Sequence, residues 1–159
     1  MATLVINSGS YIRPYRCSRL HHFTPETSQT YERGDVLIPT ADTDQPGTVK
    51  ISGALVDASV VVGVAAEDAP SSGKAPVWVA DQESEFRGHM VDTVATTAGL
   101  PGTKAGLVLD TAKDVYRVIT TDTDNDASII ITEVLGTVGD TNGEVAFRFL
   151  NSATAVFGQ

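Results

Sequence analysis

Asp122, Asp124 and Asp126 alternate in one short polar run, and Glu133 lies eleven residues beyond Asp122. Acids at the first, third and fifth places of a loop, closed by a glutamate at the twelfth, form the oxygen donor set of a calcium loop. The sharp bend at the sixth place calls for glycine, and Ala127 stands there instead. Residues on either side read as strands, so a tight polar turn accounts for the same Asp and Asn content. Calcium at Asp122, Asp124, Asp126 and Glu133 is therefore a weak candidate, and one that would brace a hairpin. His21 and His22 are adjacent, and neighbours on an extended segment point to opposite sides. No second cluster with ligand spacing accompanies them, so no metal is assigned. Arg33-Gly34-Asp35 spells a short adhesion tripeptide, but Gly followed by Asp at a strand entrance is ordinary turn chemistry. The chain carries no nucleophile-elbow, phosphate-loop or dinucleotide fingerprint. No catalytic residue and no cofactor is expected, and the chain does not read as an enzyme.

A second set of residues suits recognition. The first 25 residues contain Arg13, Arg16 and Arg19 with His21 and His22, and no acid. Tyr11, Tyr15 and Phe23 are interleaved among them, and Pro14 and Pro25 interrupt regular structure. Tyr and Arg are enriched where interfaces hold most tightly. A disordered tail is poor in aromatics, so this segment is expected to dock. Composition favours a partner over the chain's own body. Ahead of it, 3–7 reads as a strand whose Leu4 and Ile6 suit addition to an exposed sheet edge. The candidate partner-binding set is Leu4, Ile6, Tyr11, Arg13, Tyr15, Arg16, Arg19 and Phe23. Residues 1–33 are accordingly expected to form an extended basic arm, and deletion of 1–25 to leave a folded body.

Residues 34–159 must position that arm. Short β-branched and aromatic runs recur there between Gly, Pro, Asp and Asn, which argues an all-β fold. Strands are expected over 35–39, 48–52, 59–65, 75–80, 106–110, 115–121, 128–135 and 144–150. In the last, Val145, Phe147 and Phe149 alternate with Glu144, Ala146 and Arg148, the period of a strand with one buried face. Residues 89–98 alone stay open to a short helix. Many short strands with polar turns indicate a small antiparallel β-barrel or sandwich. The halves 34–83 and 84–159 echo each other enough to suggest two related β-subunits packed together, although any two β-rich stretches look alike at this level.

Charge divides along the same line. The 159-residue chain has 11 Lys and Arg against 20 Asp and Glu, a net −9. The arm carries four Arg against Glu26 and Glu32, leaving the body at −11. An acidic body is repelled by phosphate backbones and anionic lipid, so neither nucleic acid nor membrane is an expected partner. The length suits one domain that needs no staple. A lone Cys17 excludes an internal disulfide framework and reads as a small apolar residue. No signal-peptide pattern and no spanning run is visible.

One phrase resembles a known family. Gly34-Asp35-Val36 is followed by Val49-Lys50-Ile51, then by Val62-Gly63-Val64-Ala65-Ala66-Glu67-Asp68-Ala69, then by Val77-Trp78-Val79. It is similar to the head decoration, or cement, proteins of tailed bacteriophages, with the section from Phe86 through Gly106-Leu107 to Phe147-Arg148-Phe149 compatible with their second half. The resemblance implies an all-β structural protein of the virion that binds the outer surface of the phage head. It would clamp neighbouring copies of the major capsid protein, with a homotrimer preferred to a homodimer. It also implies synthesis in the host bacterial cytoplasm, which fits the absence of a signal peptide. A tail or baseplate module and a calcium-braced adhesion domain are the alternatives.

Overall fold

The computed structural model describes residues 11–16, 19–26, 29–40, 48–53, 55–56, 61–68, 74–120 and 127–150. Among them there are twelve strands and no helix. They are β1 (Arg13–Arg16), β2 (Leu20–Pro25), β3 (Val36–Pro39), β4 (Thr48–Ile51), β5 (Leu55–Val56) and β6 (Gly63–Ala65), then β7 (Ala75–Val79), β8 (Glu85–His89), β9 (Lys104–Asp110), β10 (Val115–Ile119), β11 (Ile129–Val134) and β12 (Glu144–Phe149).

The strands form two sheets. One runs β1-β8-β12-β11-β9-β10, with β5 added to β9. The other closes on itself in the order β2-β4-β3-β6-β7. Its β2–β4 ladder is parallel, with Thr24 opposite Thr48, so the fold is not purely antiparallel. Alternation decides the packing. Leu37, Val49, Ala65, Ala75, Val77 and Val79 fill the ring with Phe23 and Tyr31. Their neighbours Val36, Val64 and Trp78 point out of it, into the core of the other sheet. There they meet Phe86, Leu107, Tyr116, Ile129, Ile131, Val145, Phe147 and Phe149, which form one continuous core with them. Phe86 and Phe147 stack at 6.4 Å between centroids, and Phe149 meets both in T-shaped contacts at 5.3 and 5.6 Å.

Two close approaches fix the ring. A Cβ on Gly63 would be driven into the carbonyl of Trp78, so β6 and β7 admit nothing larger there. Gly34 has φ +94, and a Cβ there would meet the Tyr11 side chain at 2.6 Å. Positive φ and the missing side chain are both glycine properties.

The expected extended arm requires correction. Over its described residues, 1–33 is built into both sheets. Arg13 pairs with Arg87 across β1–β8, and Leu20, His21, His22 and Phe23 pair with Trp78, Val77, Pro76 and Ala75 across β2–β7. Ile12 and Phe23 are buried, one in each core. Pro14 and Pro25 do not prevent this: Pro14 sits in a strand at the sheet's end and Pro25 closes its strand, where a missing N–H is tolerated. The open segment 89–98 is not helical; it is a chain of turns anchored by bridges from Met90 to Val118 and from Ala95 to Thr141. Nor do 34–83 and 84–159 repeat one topology, since the first builds most of the closed ring and the second most of the open sheet.

Candidate functional site: a charged outer sheet face

Arg13, Tyr15 and Arg16 lie on the sheet face turned away from the core. Alternation alone would send Tyr15 and Arg16 to opposite faces. The register of β1 against β8 shifts between Pro14 and Arg16. Such a bulge sets two residues opposite one and re-aims their side chains. A second shift lies in β11, between Ile131 and Glu133. Ile131 is wholly buried in the core, yet Glu133, two residues on, reaches the outer face. The two irregularities bring Tyr15, Arg16 and Glu133 together: Tyr15 Oη donates to Glu133 Oε2 at 3.3 Å, and Arg16 Nη2 to the same oxygen at 3.0 Å.

Regular alternation supplies the rest. Phe86, Val145 and Phe147 face the core, so Glu85 and Arg87 on β8, with Glu144, Ala146 and Arg148 on β12, face outward. Arg87 grips Glu144 with two nitrogens, one of them Nη2 at 2.7 Å, and Arg13 Nη2 joins at 3.2 Å. Desolvation pushes the Glu144 carboxyl upward, but the Arg87 hydrogen bond and the charges of Arg87, Arg13 and His89 outweigh it and hold Glu144 below the usual range. Glu85 is 5% exposed and lies between two cations: Arg16 at 3.3 Å on one oxygen and Arg148 at 3.5 Å on the other. The Arg16 guanidinium also stacks over the Tyr15 ring at 4.5 Å. Ala146, set between Arg87 and Glu133 in the two ladders, is wholly buried. The face is thus a preorganised lattice of four arginines, three glutamates and a tyrosine.

The remaining candidates fall elsewhere. Arg19 donates through Nε to Asp81 at 3.1 Å; burial pushes Asp81 up, but hydrogen bonds from the Ser84 side chain, the Ser84 and Glu83 amides and Arg19 outweigh it and hold Asp81 low. Phe23 is a ring-core residue, with His21 edge-on to it at 4.9 Å, and so is not exposed to a partner. Tyr11 lies beside Gly34 and under the Arg33 guanidinium, 5.0 Å from its ring centre. Arg33 of the tripeptide is thereby engaged, and Arg33 N–H donates to Asp68 at 2.8 Å. Leu4, Ile6, Asp122, Asp124 and Asp126 lie outside the described residues. Glu133, the fourth calcium candidate, accepts from Arg16 and Tyr15 through Oε2. Among the described residues no three His, Cys, Asp or Glu side chains are grouped to hold a metal.

Sequence reasoning missed Glu85, Arg87, Glu144 and Arg148 as members of this face. The alternation of β12 already put Glu144 and Arg148 on its polar side. Glu85 and Arg87 flank a single apolar residue in a strand too polar to stand out.

An acidic corner joins the two sheets. Burial pushes Asp35 up to about 6, against a lowering hydrogen bond from the Glu32 amide, and the charges of Glu32, Asp114 and Asp68 add to the rise. Glu32 is also raised, chiefly by the charge of Asp114. Comparison with family profiles, curated proteins and solved structures finds no match to this chain.

Proposed function

We propose that the chain is a structural virion protein of a tailed phage, a decoration protein that binds the outside of the head and ties neighbouring major capsid protein subunits together. The observation that carries the reading is the way the family-like phrase is used. Its separate pieces interlock: the Gly34 amide donates to the Ala65 carbonyl at 2.9 Å, and the Ala65 amide to the Asp35 carbonyl at 2.8 Å. Asp68 accepts from the Arg33 amide, Gly63 packs under Trp78, and Val49 and Val77 fill the ring. The residues of that phrase lie in strands and turns of the closed ring, and this supports reading them as one folding unit. The proposed arrangement is this ring packed on the open sheet, three copies to an assembly, with the charged face available to the shell.

The test uses purified protein and expanded phage heads. Co-sedimentation with the heads and a higher head disruption temperature are expected. Failure to bind heads, with the protein folded, removes the reading. Mass measurement of the free protein distinguishes a trimer from a dimer or monomer.

A further inference from the structure

Arg148 is held differently from the other arginines of the charged face. Its side chain is 46% exposed, and among the described residues its one ion pair is the 3.5 Å contact from Nε to Glu85. Its two terminal nitrogens have no hydrogen-bond partner among those residues. Arg16, 55% exposed, flanks the opposite oxygen of the same carboxylate. Glu85 therefore anchors two guanidinium groups, of which Arg16 is further engaged by Tyr15 and Glu133 while the terminal nitrogens of Arg148 stay open among the described residues. Arginine presents a rigid planar fork that matches a carboxylate with two parallel hydrogen bonds. Holding the fork in place beforehand lowers the ordering cost of binding.

The charge balance selects the ligand. Arg13, Arg16, Arg87 and Arg148 outnumber Glu85, Glu133 and Glu144 by one on this face, while the whole chain is at −9. A polyphosphate backbone would meet three glutamates and an acidic molecule, which repel it. A protein surface of mixed charge, offering one carboxylate to the open fork, meets a complementary pattern. Tyr15, beside Arg16, adds the amphipathic contact area favoured at binding hot spots.

We infer that the Arg16–Glu85–Arg148 clamp docks a carboxylate side chain of a protein partner, with Arg148 as the two-pronged donor. On the reading given above, which this step rests upon, that carboxylate belongs to the outer surface of the shell protein.

Two measurements test it. In the first, sodium acetate is titrated into the labelled protein at low salt and arginine Nε–H signals are followed by NMR, with inorganic phosphate as the parallel arm. A saturable shift of Arg148 is expected with acetate, with Arg33 unmoved. In the second, R148E is expected to reduce binding to phage heads by about tenfold or more, the loss of one charge-assisted contact. R148K, which keeps charge without the fork, is expected to fall between. A cooperative melt and a dispersed amide spectrum for each variant show that they fold, even where the weakened contact to Glu85 lowers the midpoint. The inference is overturned if acetate leaves Arg148 unmoved, if phosphate saturates it at lower concentration, or if R148E binds heads as well as the parent. Heads left unbound by the parent, with the acetate response intact, would remove the virion reading and leave the clamp standing.

Discussion

The Tyr116 hydroxyl, carried by the open sheet, donates to the Ser52 carbonyl beyond the ring strand β4 at 2.8 Å, within the buried region between the sheets. Burial and the nearby Asp35 and Asp114 charges keep that phenol protonated, raising it well above its usual range. Tyr116→Phe preserves the ring's packing and leaves the carbonyl without this donor. The expected cost is about 1–2 kcal/mol. Thermal melting should fall by a few degrees, about 2–4 °C per kcal/mol for a chain of this size. An unchanged melting temperature would show that the strap contributes nothing.

Gly63 and Gly53 offer a matched pair. A Cβ at Gly63 collides with the backbone of Trp78, whereas one at Gly53 meets nothing within 4 Å. Gly63→Ala should therefore destabilise by about 3 kcal/mol or more, because backbone cannot yield as a side-chain tip can. Gly53→Ala should stay within about 0.5 kcal/mol of the parent. Denaturant midpoints of the two variants check the contrast.

The buried Glu85 predicts non-additivity. Removing Arg16 or Arg148 alone leaves its carboxylate one partner, while removing both leaves it with neither. A buried charge without a partner is costly. The double variant R16Q/R148Q should lose more stability than the two single losses combined. Simple additivity in urea unfolding would mean that water reaches Glu85 freely.

Asp35 sets a dependence on pH. Its folded-state value, about 6, lies above that of an unfolded aspartate, so the folded protein binds the extra proton between the two. Stability should rise as pH falls through about 6 and level off near the unfolded value. Glu144 and Asp81 act oppositely: both are lowered, so their contribution is lost only in stronger acid. Asp35→Asn can still accept from the Glu32 amide. It should raise the melting temperature at about pH 8 and flatten the gain seen on going to about pH 5. A parent curve with no slope in that interval would contradict the assignment.

Removal of 1–25 should abolish folding. It deletes β1 and β2, opens the ring between β4 and β7, and takes Ile12 and Phe23 from the two cores. Circular dichroism and amide NMR dispersion check this; a well-dispersed spectrum from the truncated chain would overturn it.

The all-β character was readable from Val, Ile and turn residues, and β12 from the alternation of Val145, Phe147 and Phe149. β2 escaped because Leu20, His21, His22 and Thr24 are exposed, leaving Phe23 and Pro25 as its buried positions. β8 escaped because Glu85 is buried by its ion pairs, so its polarity concealed its position. Tyr15 and Arg16 were recognised by residue type, but their meeting with Glu133 depends on two bulges. A bulge breaks the period of two, the signal by which strands are read.

The order in which the sheets take their strands has a consequence for synthesis. The chain visits the open sheet with β1, leaves for the ring, returns with β5, leaves again, and completes the open sheet from β8 to β12. Arg13 and Glu144, which share an ion pair, are 131 positions apart. Closing so long a loop is entropically costly and comes before its contacts reward it, so pairing of this kind is slow. As the chain leaves the ribosome, β1 must wait until β8 emerges before its ladder can form. Until then its edge is open to other nascent chains, and the yield of native protein should depend on translation speed and on chaperones that shield the waiting strand.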